Sequence, residues 1–223
     1  MEDTFISQSI KYVGASDRTL DLFEGQYILP EGMAYNSYLI LDEKTAVMDT
    51  VDGLVQDKYL ENVKKELGGR ALDYIVVQHL EPDHSGSLEA LVTLYPEAKV
   101  VLSAKAKSMA QNFLDTDITE RTVVVGEGDK LCLGSHTLNF VTAPMVHWPE
   151  VILSYEESEK VLFAADAFGK FGALDADEDW TCEARRYYFN IVGKYGAQVQ
   201  ALLKKAAGLD IKTICPLHGP ILK

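Results

Sequence analysis

From residue 55 onward the chain alternates stretches of helical period with short apolar runs, and that alternation restricts the fold more than any other feature. Residues 55–67 carry apolar side chains at helical spacing and stop at Gly68-Gly69, a pair suited to ending a helix. Residues 72–77 then form an apolar run of the kind a buried strand requires. The pattern repeats with a helix over 87–95, a strand over 99–102 and a helix over 104–114. Upstream, residues 37–41 and 45–49 flank the polar turn Asp42-Glu43-Lys44 and predict a hairpin. Downstream, strands are expected over 122–125, 130–133 and 137–142, followed by a hairpin of 151–155 with 160–165. One long helix over 183–206, with Tyr187, Ile191, Tyr195, Val199 and Leu202 on a single face, leads to a last strand over 212–215. Two half-sets of strands with helices between them imply an α/β fold, a four-layered αββα sandwich, with residues 1–223 as a single domain.

Charge narrows the function. With 21 basic against 34 acidic residues the net charge is −13, which repels nucleic acid and anionic membrane surfaces alike. The start, Met1-Glu2-Asp3-Thr4-Phe5, has no basic segment before an apolar run, and nowhere do about 18 apolar residues follow one another. A cytoplasmic protein without membrane insertion is therefore expected. Cys132, Cys182 and Cys215 are odd in number and widely spaced, which suits reduced, buried thiols better than disulfides or a CxxC metal site.

The five histidines carry the chemistry. Two lie in His79-Leu80-Glu81-Pro82-Asp83-His84, directly after the apolar run 72–77, so four potential metal ligands fall in one loop at a strand's C-terminal end. His147, Asp166 and His218 each follow a later apolar run. One histidine at a strand end is ordinary; four of five there, two beside carboxylates, are not. His136, at a strand start, reads as structural or solvent-facing, and Cys215 as a small buried thiol outside the site.

The HxExDH loop followed by His147, Asp166 and His218 resembles the metallo-β-lactamase-like domain of the flavodiiron proteins, which reduce dioxygen or nitric oxide. The resemblance includes residues 32–40, His147-Trp148-Pro149 and residues 183–199, and covers nearly the whole chain. Zinc hydrolases of the same superfamily usually carry HxHxDH; here Glu81 replaces the middle histidine. Three carboxylates beside four imidazoles make a harder, more anionic set than a histidine-rich zinc site and suit iron that changes valence. The resemblance implies one iron on His79, Glu81 and His147, a second on Asp83, His84 and His218, and Asp166 bridging them, with open positions for a diatomic ligand. His84 is the ligand that varies among family members. Trp148, Tyr35 and Tyr195 are expected around these ligands, against a bland reading of ordinary core packing.

In flavodiiron proteins an FMN-bearing flavodoxin domain follows and delivers electrons in a head-to-tail dimer. This chain ends five residues after His218 and contains no glycine-rich phosphate loop or CxxC pair, so no FMN is expected in it. The leading expectation is a diiron protein that binds dioxygen, or nitric oxide, as a sensor or binder in signalling. The alternatives are an O2 or NO reductase fed by a separate flavoprotein or rubredoxin, and a zinc-dependent hydrolase. The implied partners are the gas and a redox or signalling protein, and a homodimer is admitted.

Overall fold

The computed structural model describes residues 4–223; Met1–Asp3, part of the start that argued against a leader, lie outside them. Six strands form one sheet, ordered as in the chain: β1 (Ile10–Tyr12), β2 (Tyr38–Leu41), β3 (Thr45–Met48), β4 (Tyr74–Val76), β5 (Lys99–Ser103) and β6 (Thr122–Val125). The first three pair antiparallel and the rest parallel, as the intervening helices require. A second sheet holds β7 (Lys130–Cys132), β8 (Thr137–Thr142), β9 (Ile152–Glu156), β10 (Val161–Phe163) and β11 (Thr213–Cys215), again in chain order. Only β10 and β11 pair parallel there.

Alternation along each strand builds two cores. Tyr38, Ile40, Met48 and Val76 face Phe140, Ile152 and Phe163 between the sheets. Their neighbours Leu39, Val47, Ile75 and Val100 turn the other way, into the layer that includes Tyr59, Val63 and Leu91 from helices. Each large side chain so buried contributes about 1.5–3 kcal/mol. The helices are α1 (Gln56–Leu67), α2 (Pro82–Ser85), α3 (Leu88–Leu94), α4 (Ala104–Ala110), α5 (Trp180–Tyr187) and α6 (Gly196–Ala206). Helix α1 stops where expected, because Gly68 adopts a left-handed φ of 59° and donates to the carbonyls of Lys64 and Lys65. The four-layered αββα expectation stands.

Three local expectations do not. The helix expected over 183–206 is interrupted: a π turn over Tyr188–Val192 and a 3-10 turn over Gly193–Tyr195 separate α5 from α6. Gly193 and Gly196 weaken the helix there, each by about 1 kcal/mol relative to alanine, and the Asn190 side chain donates to the Arg186 carbonyl across the irregular turn. Helix α4 ends at Ala110, short of Leu114. Of the cysteines only Cys215 is buried; Cys132, on edge strand β7, and Cys182, in the first turn of α5, are exposed, and all three are free thiols. Two small ribbons, Ala15–Asp17 with Met33–Tyr35 and Leu22–Phe23 with Tyr27–Ile28, complete the N-terminal part.

Candidate metal centre

The strand ends deliver the seven predicted residues to one place. After β4 the chain is turned by Asp49, whose carboxylate accepts from the Gln78 backbone N–H (2.7 Å), the Gln78 side-chain amide (2.9 Å) and the His79 N–H (3.3 Å). Asp49 is fully buried, and burial, offset in part by His84 and Gln78, pushes its carboxyl up to about 6. The short helix α2, with Pro82 in its first turn, presents Asp83 and His84, and the Thr50 hydroxyl ties the His84 carbonyl at 2.6 Å. His147 follows β8, Asp166 follows β10 and His218 follows β11.

Two groups result: His79, Glu81, His147 and Asp166, and Asp83, His84 and His218. In the first, Glu81 Oε2 lies 3.1 Å from His79 Nε2 and 2.8 Å from His147 Nε2. In the second, Asp83 Oδ2 lies 3.2 Å from His84 Nε2 and 3.0 Å from His218 Nε2. Asp166 joins them. Its Oδ2 is 2.9 Å from His147 Nε2 and 3.4 Å from His79 Nε2, while its Oδ1 is 3.0 Å from His84 Nε2 and 3.7 Å from His218 Nε2.

The electrostatics call for cations. Burial pulls the His147 ring down, but Asp166 and Glu81 outweigh it and lift it to about 9. His79 and His84 are likewise raised against their burial, His79 by Asp166, Glu150 and Glu81 and His84 by Asp83 and Asp166. Asp166 is held well below the carboxylate range despite complete burial, by His84, His147 and His79. Both oxygens of Asp83 and Asp166 Oδ1 are buried without a hydrogen-bond partner, a costly state for carboxylates. Hard oxygen donors interleaved with imidazole nitrogens fit two ions of the iron type, and these seven residues could hold them.

The surrounding residues correct the expected set in part. The Trp148 ring lies edge-on to His79 with centroids 5.2 Å apart, and the Tyr35 ring is 5.8 Å from that of His218. Tyr195 sits instead on the interrupted helix, half-buried, with the Lys194 ammonium 5.5 Å from its ring centre. Tyr187, one end of the same predicted face, takes the place beside His218 at 5.6 Å, fully buried and with its hydroxyl unpartnered. Sequence reasoning missed Glu150: its Oε1 accepts from His79 Nδ1 and from the Leu80 N–H, both at 2.9 Å, which sets the tautomer that points Nε2 inward. On the other side His218 Nδ1 donates to the Ala34 carbonyl at 2.7 Å. Position 150, just past the HWP triplet, was the available signal for Glu150. His136 is structural and buried, not solvent-facing: Nδ1 meets Asp42 Oδ2 at 2.8 Å and Nε2 meets Glu159 Oε1 at 3.1 Å. A cavity of about 270 Å³ opens beside the two groups and is lined by Phe23, Glu24, Tyr35, Asp52, Glu81 and Asp83.

Known proteins resemble this chain in both sequence and fold. Residues 33–219 match the family described as ODP family beta lactamase. The chain is 35% identical to the rubredoxin-oxygen oxidoreductase of Megalodesulfovibrio gigas over its whole length, covering 58% of that protein, and 34% identical to the nitric oxide reductase of Moorella thermoacetica over 97% of its length, covering 56%. The crystal structure of the flavodiiron protein from Giardia intestinalis superposes with a TM-score of 0.90 at 28% identity, covering 99% of this chain and 55% of that one. The chain thus spans little more than half of these relatives. With the family match running from Met33 to Gly219, the residue after His218, the protein belongs to the ODP family of beta-lactamase domains, the metallo-β-lactamase-like domain found in flavodiiron proteins.

Proposed function

We propose that this chain holds two iron ions on its seven clustered residues and binds dioxygen or nitric oxide between them. The observation that carries the proposal is the division of Asp166, one oxygen toward His147 and His79 and the other toward His84 and His218. A carboxylate so placed suits a bridge between two ions, with His79, Glu81 and His147 on one and Asp83, His84 and His218 on the other. Iron, when bound, supplies the valence change and the open position for a diatomic molecule. The protein supplies orientation: Glu150 and the Ala34 carbonyl fix the rings of His79 and His218, and the Trp148 and Tyr187 rings form apolar walls beside them. Glu81, standing where zinc hydrolases of the superfamily usually have histidine, speaks against the hydrolase reading.

Gas binding leads to two functions with opposite kinetics. As an oxygen sensor or binder the ferrous protein reacts once with the gas and keeps the product state for many turnovers' worth of time. As a reductase, the reading favoured by the names of the Megalodesulfovibrio and Moorella relatives, it consumes gas continuously when a separate redox protein feeds it. Anaerobically iron-loaded protein mixed with oxygen, with and without NADH, a flavin reductase and rubredoxin, separates them: one stoichiometric spectral change supports the sensor, sustained consumption the reductase. Iron-loaded protein that responds to neither gas refutes both.

A further inference from the structure

A second cavity, of about 220 Å³, lies between α5, α6 and the outer face of the second sheet. Leu153 and Leu162 of that sheet and Val199 and Leu202 of α6 line it, and its walls are apolar apart from one charged residue, Asp166. It shares no lining residue with the carboxylate-lined cavity bounded by Glu24, Asp52, Glu81 and Asp83. Its rim is the exposed set Phe168, Trp180, Tyr188 and Leu203, each between 39% and 44% exposed, whereas Leu153, Leu162 and Tyr187 are buried. An apolar passage thus runs from the surface to Asp166, the residue that joins the two groups of metal-ligating side chains.

We propose that this cavity is a binding site and conduit for uncharged diatomic gas on its way to Asp166, an inference that rests on the proposed function. Small nonpolar molecules partition from water into apolar surroundings, whereas protons, hydrated ions and water need polar partners, which this lining offers only at Asp166 and at single tyrosine and tryptophan polar groups. The volume is several times a water molecule's share of the liquid, about 30 Å³, and dry apolar cavities of this scale hold gas atoms such as xenon. The carboxylate-lined cavity suits the opposite traffic, since Glu24, Asp52, Glu81 and Asp83 attract protons and repel nothing uncharged. Gas and protons therefore reach the centre by separate routes. The break between α5 and α6 belongs to this device: Tyr188 and Val192, in the π turn, line the cavity, and a continuous helix would place these side chains differently.

The test uses xenon and gas kinetics together. Crystals of the full chain pressurised with xenon should show it beside Leu153 and Leu162, and Val199→Trp and Ala184→Leu, which add volume inside the cavity, should abolish that occupancy. In iron-loaded protein a conduit lowers the barrier without changing the end states, so filling it should slow gas association and dissociation together by roughly tenfold, with iron content and equilibrium affinity unchanged. Leu22→Trp, at the carboxylate-lined cavity, should leave both rates within about twofold. Absence of xenon from the wild-type cavity overturns the proposal, and so does unaltered gas association once xenon is excluded. The xenon measurement needs neither bound iron nor a variant that folds well. Iron-loaded wild type that takes up neither gas is a different failure, that of the proposed function.

Discussion

Glu150→Gln removes one buried negative charge from behind His79 while preserving the side chain's size. The glutamine carbonyl can still accept from His79 Nδ1 and the Leu80 N–H, the two bonds that Glu150 Oε1 now accepts at 2.9 Å. Its amide then falls where Oε2 has no hydrogen-bond partner, which leaves buried N–H donors unmatched at a cost of about 1–3 kcal/mol in stability. The larger effect is on the metal. Carboxylates behind ligating histidines are worth roughly 10–100-fold in affinity, about 1.4–2.7 kcal/mol, because they orient the ring and increase its basicity. Competition for ferrous iron with a chelator under anaerobic conditions measures that loss directly, and thermal unfolding of the metal-free protein measures the first. A variant whose iron affinity matches the wild type within about twofold refutes the reasoning, since the contact would then serve only the fold.

Further predictions rest on other parts of the molecule. Asp166→Asn keeps the size of the carboxylate but removes the charge shared by both groups, so one or both irons should be lost with the fold retained, while His84→Ala should be milder; circular dichroism and iron analysis check both. His136 should make stability pH-dependent. Burial lowers its ring but the bonds to Asp42 and Glu159 outweigh that and raise it, so its contribution is complete below the unfolded value of about 6.5 and lost as pH rises through the folded value. Asp42, held down by His136 despite its own burial, has the opposite sign and loses its contribution as pH falls below about 4. Denaturation of His136→Gln across pH 5–9 should show a flatter profile than the wild type; parallel profiles would count against the assignment. Gly32→Ala should destabilise by about 1–3 kcal/mol or more, because Gly32 has a φ of 70° and a Cβ there would stand 2.1 Å from the Asp17 carbonyl oxygen. It should also disturb His218, which is held by Ala34 two residues on; an unchanged melting temperature would contradict the close approach.

The parts of the site visible in the sequence are those encoded locally. The HxExDH loop is six consecutive residues after one apolar run, and His147, Asp166 and His218 each follow a strand that its own composition announces. The strand order of both sheets follows the chain because neighbouring segments pair. What was not visible depends on closure of the tertiary structure. Glu150 supports a histidine 71 positions away, and Asp49 holds a loop 29 positions away, so neither shows any local pattern. The face running from Tyr187 to Leu202 reads with a single period in the sequence, but a π turn over Tyr188–Val192 interrupts it, with Tyr187 beside His218 and Tyr195 against the Lys194 ammonium. For His136 the sequence leaves a structural and a solvent-facing role open, because the partners that decide for the structural one, Asp42 and Glu159, come from turns of different sheets.

Iron counted per chain after anaerobic reconstitution tests the central claim most directly. About two irons per wild-type chain, falling to about one or none in Asp166→Asn, is the result that a shared carboxylate between two ions predicts. A single iron in the wild type at saturating metal, or two irons retained by Asp166→Asn with undiminished reactivity toward oxygen, would contradict it.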